Sequence, residues 1–75
     1  MKTNPYTVIL HYVDSQAGDS ETYLEWVNVG VRVKHQRAAA IQKATELCWK
    51  ANNWTAENAE PFGDIAVFHG HIQDI

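Results

Sequence analysis

The segment Tyr6-Thr7-Val8-Ile9-Leu10-His11-Tyr12-Val13-Asp14 decides how this chain can fold. It is rich in aromatic and β-branched residues and too short for a helix of typical length, so it reads as a strand. Side chains alternate along a strand, which puts Tyr6, Val8, Leu10 and Tyr12 on one face and Thr7, Ile9, His11 and Val13 on the other. Both faces are largely apolar, and both need cover. The next residues, Ser15-Gln16-Ala17-Gly18-Asp19-Ser20, form a polar stretch with a glycine available for positive φ, which suits a hairpin turn. A second strand is predicted from Thr22 to Val33. There Val27, Val29, Val31 and Val33 alternate with Trp26, Asn28, Gly30 and Arg32, and Gly30 marks a position for a bulge or bend.

From about Gln36 to Asn52 the period changes to that of a helix, with Ala40, Ile41, Ala44, Leu47, Cys48 and Ala51 on one stripe. Lys34 and His35 are poor capping residues at its start, whereas Asn52-Asn53 is a credible stop. The stripe is mostly alanine, so the sheet must supply the bulk of the core. Gln42, Lys43, Glu46, Trp49 and Lys50 occupy the opposite arc. Residues Trp54 to Phe62 read as irregular chain able to fold back over Trp49, and Asp64 to Ile72 as a third strand with a short polar end. The element order β-β-α-β, combined with the right-handed crossover preference, predicts a two-layer α+β sandwich: a three-stranded sheet in the order 2-1-3 with one helix packed on one face. No linker or internal repeat divides residues 1–75, so one domain is expected.

A chain of 75 residues can bury only one modest core, about 60% of the surface its unfolded form exposes. Its single cysteine, Cys48, excludes an intrachain disulfide framework and a cysteine-based zinc knuckle. The absence of a long apolar run and of a signal-like start leads to the expectation of a cytoplasmic protein without membrane association. The net charge of −3 is unevenly distributed. Arg32, Lys34, Arg37, Lys43 and Lys50 face a single acid, Glu46, between Trp26 and Ala56, while the flanking regions are acidic. Such polarity can steer partners or stack copies of the chain, but it is not the strongly basic balance of a general nucleic-acid binder.

Four histidines raise the question of a metal. His69 and His71 at i and i+2 on a strand would share a face about 7 Å apart, and His11 on a neighbouring strand could join them. The competing reading is that these histidines sit at the polar end of a half-buried strand. The basic set Arg32, Lys34, Arg37, Lys43 and Lys50, interleaved with Trp26 and Trp49, matches a nucleic-acid footprint in residue type, since lysine and arginine contact phosphates and aromatics stack on bases. Its members are nevertheless spread over a strand and different sides of a helix. Cys48 on the helix stripe reads as a small core hydrophobe. No phosphate loop, nucleophile elbow or paired-carboxylate motif is present, so neither enzymatic activity nor a cofactor is expected.

One alanine-rich helix can cover only one of the two apolar sheet faces, and an uncovered apolar face marks an interaction surface. The preferred expectation is therefore a non-enzymatic protein-interaction module, homodimeric or docked on a partner protein. Trp49, ringed by Lys43, Glu46 and Lys50, is the candidate partner-binding group, because a tryptophan in a polar arc fits a binding hot spot. Nucleic-acid binding through the basic segment and metal binding through His11, His69 and His71 are the alternatives. The hairpin with its alternating valines, the helix spaced by Ala40, Ala44 and Ala51, and the segment Ala66-Val67-Phe68-His69-Gly70-His71 together resemble small orphan proteins of bacterial viruses and mobile elements. Some of these, certain anti-CRISPR inhibitors among them, use a β-β-α-β or related sandwich to block a host protein or nucleoprotein complex. The resemblance covers most of the chain as a pattern, carries over no functional residue, and implies a non-enzymatic role on a host partner. The basic central segment departs from the strongly acidic, nucleic-acid-mimicking character of many such inhibitors.

Overall fold

A computed structural model describes residues 2–14, 18–59 and 61–73. Strand β1 (Thr3–Asp14), strand β2 (Asp19–Gly30), helix α1 (Gln36–Ala51) and strand β3 (Asp64–His69) follow in that order. They form one antiparallel sheet, β2-β1-β3, with α1 on one face. This is the α+β architecture and strand order expected from the sequence. Of the expected hairpin turn, residues 15–17 lie outside the described residues. Among the described residues no helix is long and apolar enough to cross a membrane.

The register sorts the side chains. Tyr6 lies opposite Val27 on one side and His69 on the other, and Val8 lies between Glu25 and Val67. The helix-facing side thus gathers Tyr6, Val8 and Leu10 with Val27 and Val29, and Ala40, Ala44 and Cys48 close over them, all buried. Small helix residues allow a close approach of helix axis to sheet, and the strands fill the volume. Pro5 is accommodated in the central strand because a strand residue's N–H and C=O point the same way. Its carbonyl accepts from the Gly70 N–H at 2.8 Å, so the missing donor faces the side where β3 has already ended.

The strand limits differ from those expected. β2 ends at Gly30 rather than Val33, because Gly30 pairs with Thr3, the first residue of β1, and only the Lys2 carbonyl remains to accept from Val31 N–H. Val31 and Val33 are exposed, and Gly30 marks the end of the strand instead of a bulge within it. The carboxamide of Gln36 makes the turn into the helix. Its Nε2 donates to the carbonyls of Gly30 (2.8 Å) and Val33 (2.6 Å), and its Oε1 accepts from Tyr6 Oη (2.9 Å) and Asn4 Nδ2 (3.1 Å). It fastens the first turn to both strands without capping the helix N–H groups, and His35 makes no side-chain capping bond. At the other end Asn53 adopts a left-handed φ of 57°. Trp54 N–H donates to the Trp49 carbonyl and Asn53 N–H to that of Lys50, which is the Schellman termination.

That termination directs the following loop. Trp54 packs on Tyr12 and Tyr23, with ring centroids 5.8 and 5.9 Å apart, and Phe62 joins the same layer. The loop anchors on the helix side of the sheet, so it does not cover the opposite face. The alanine contact carries a direct test. Replacing Ala44 with leucine should destabilise the fold by about 1–3 kcal/mol through overpacking, while Ala51→Leu on the exposed end of the helix stays near neutral, both read from urea unfolding midpoints.

Candidate interaction surface

The face of the sheet turned away from α1 carries Thr7, Ile9, His11 and Val13 of β1, Leu24 and Trp26 of β2, and Ala66 and Phe68 of β3, as the pairings Thr7 with Trp26 and Phe68 and Ile9 with Leu24 and Ala66 require. Val13, Leu24, Trp26 and Phe68 are each 44–52% exposed. Among the described residues, 70–72 cross this face. Gly70, at φ +82°, breaks β3 and turns the backbone over Thr7. The fully buried Thr7 hydroxyl donates to the Gly70 carbonyl at 2.7 Å and accepts from Ile72 N–H at 2.9 Å. His71 then stacks on Trp26 with centroids 5.3 Å apart and planes 9° from parallel, and its Nε2 lies 3.2 Å from the Val27 carbonyl.

This turn separates the histidines. His69 is on the helix side against Tyr6, with ring centroids 5.5 Å apart, and His71 is on the other side against Trp26. The i, i+2 rule does not apply because the strand ends between them. His11 pairs with Asp64 at the far end of β3 and places Nδ1 3.1 Å from Thr22 Oγ1. The expected trio of His11, His69 and His71 is therefore not brought together, and no group of three metal-ligating side chains converges among the described residues.

A groove of about 560 Å³ runs between α1 and the outer edge of β2, lined by Trp26, Val27 and Asn28 below and Lys43, Glu46, Leu47 and Lys50 above. Three of the four expected partner-binding residues, Lys43, Glu46 and Lys50, meet here. Trp49 does not. It is half-buried, and its indole Nε1 is enclosed without a hydrogen-bond partner among the described residues. The aromatic group of the groove is Trp26, which strand alternation places on the face opposite the valines. The basic set is divided as well. Arg32 and Lys34 stand in the turn after β2, and Arg37 lies beside Phe68 and His69 of β3, while Lys43 and Lys50 face β2.

Glu25 sits on the helix-facing side of β2 opposite Val8, and burial alone raises its carboxyl pKa. Burial, reinforced by the Glu25 carboxylate, pushes the buried Cys48 thiol up, against a smaller lowering from Asn52 Nδ2, which lies 3.7 Å from Sγ. A thiol so held is a poor nucleophile. Tyr23 Oη donates to the Glu21 carboxylate two residues back on the same strand face. That bond first, then burial and the adjacent negative charge, raise the phenol from 10.0 to about 12.

Two measurements follow from these contacts. Thr7→Val leaves Gly70 O and Ile72 N without their partner and should cost about 1–2 kcal/mol, with a change in Trp26 fluorescence as His71 leaves the ring. In an absorbance titration Tyr23 should ionise near 12, and Glu21→Gln should return it toward 10. Because the folded-state value is raised, the bond's stabilisation is complete below pH 10 and disappears as pH rises through about 12. Compared with known protein families, with curated proteins and with solved structures, the chain matches none.

Proposed function

We propose that this chain is a small, non-enzymatic interaction module that presents the helix-free face of its sheet to a partner protein. The observation that carries this reading is the exposure of Val13, Leu24, Trp26 and Phe68 on one continuous face, bordered by Ile72 at 48% exposure. Large apolar side chains clustered on one side of so small a domain form a patch of the kind that marks docking sites. The uneven placement of histidines and the buried, pKa-raised Cys48 support a role in binding rather than catalysis. The resemblance to small phage and mobile-element proteins gives the class of partner: a host protein in the cytoplasm.

The double change Leu24→Ser with Phe68→Ser tests the surface. It should abolish capture of the partner from host lysate while leaving the circular-dichroism melt close to that of the parent chain. Gln42→Ala, on the outer arc of the helix, should leave capture intact. Equal capture by all three chains refutes the assignment of this face.

A further inference from the structure

We propose that two copies of the chain pair through their β2 edges, antiparallel about a two-fold axis that passes beside Val27. The proposal rests on the reading of the chain as an interaction module and names its first partner, a second copy.

The backbone supplies the first argument. Val31 N–H points inward to the Lys2 carbonyl, so, with alternation along the strand, the backbone groups of Trp26 and Asn28 point away from β1. Among the described residues β2 has no strand neighbour on that outer side. It is twelve residues long, contains neither lysine nor proline, and carries only the acids Asp19, Glu21 and Glu25 as edge charges, which a second copy must neutralise. A two-fold axis at Val27 sets Trp26 opposite Asn28 of the second copy and lets each pair exchange N–H and C=O bonds.

Charge disfavours two of the alternative registers and is compatible with this one. An axis at Glu25 would set Glu25 against its own copy, and one at Tyr23 would set Glu21 against Glu25; both place like charges directly opposite. With the axis at Val27, each Glu25 faces Val29 of the other copy and the two carboxylates are not neighbours. The helix then provides the counter-charge. α1 runs antiparallel to β2, from Gln36 bonded to Gly30 to Trp54 against Tyr23. Seven residues of helix advance Lys43 about 10 Å from Gln36, some three strand residues back from Gly30 and hence beside Val27. Glu25 of one copy, half-buried and without a counter-ion among the described residues, enters the groove of the other beside Lys43. Asp19 and Glu21 meet the opposing turn that carries Arg32 and Lys34. The axis is perpendicular to the sheet, so both helices lie on one side and the 44%-exposed Leu47 of each lines the joint groove.

Sedimentation of the full chain at micromolar concentration should show a dimer. Asn28→Pro removes an outward N–H that the monomer does not use and should abolish dimerisation with little change in melting temperature. Glu25→Lys and Lys43→Glu should each weaken the dimer about tenfold or more, and the two together should restore it. A monomeric parent chain, a dimer that survives Asn28→Pro, or a double variant no tighter than the singles overturns the proposal. A monomer whose partner capture still depends on Leu24 and Phe68 would refute the dimer and leave the interaction module standing. A dimer with capture insensitive to those residues would do the reverse.

Discussion

The close seating of one helix on one sheet face governs the rest of the molecule. Ala40, Ala44 and Cys48 bring the helix backbone near the sheet, and Tyr6, Val8, Leu10, Val27 and Val29 fill the space beneath it. Helix and aromatic loop, with Trp54 and Phe62, are both spent on that one side. β1 lies in the middle, so its Ile9 and Val13 have no covering layer on the other side among the described residues, and the strands beside it extend this surface through Leu24, Trp26 and Phe68. At about 25 cal/mol per Å² of apolar surface, covering even part of such a face by association is a substantial driving force.

Among the described residues, 70–72 give this face partial cover. Thr7 is a polar residue in the centre of this face, and it is buried because both its donor and its acceptor capacity are used by residues 70–72. The same crossing holds His71 flat against Trp26. The tryptophan is thereby fixed at the border between the bare face and the β2 edge, where a rigid aromatic group gives up little conformational freedom on binding.

The element order and strand order were legible because they follow from periodicity and handedness, which are properties of the whole segments. Their limits were less so. The valine alternation continues through Val31 and Val33, but a strand persists only as far as its neighbour, and β1 begins at Thr3. The histidine pair failed for a related reason: spacing implies a shared face only while the strand continues, and Gly70 ends it. That Lys43, Glu46 and Lys50 are neighbours was readable, since they lie on one side of the helix. Trp49 lies apart from these three, and a helical wheel does not show which side abuts an open sheet edge. The strand alternation that put Trp26 opposite the valines was the available signal. The crossing of the C-terminal residues over Thr7 depends on contacts more than sixty positions apart in sequence, and no local pattern announces it.

The Gln36 carboxamide has a consequence for how the molecule opens. Its four bonds attach the first turn of α1 simultaneously to the start of β1, through Asn4 and Tyr6, and to the end of β2 and its turn, through Gly30 and Val33. An uncapped helix ordinarily frays by itself. Here fraying would release both strand ends as well, so the amides of the three segments belong to one cooperative opening unit and exchange their hydrogens together. Nearer the hairpin the sheet is held instead by Trp54 against Tyr12 and Tyr23, so the two halves of β1 open through different contacts.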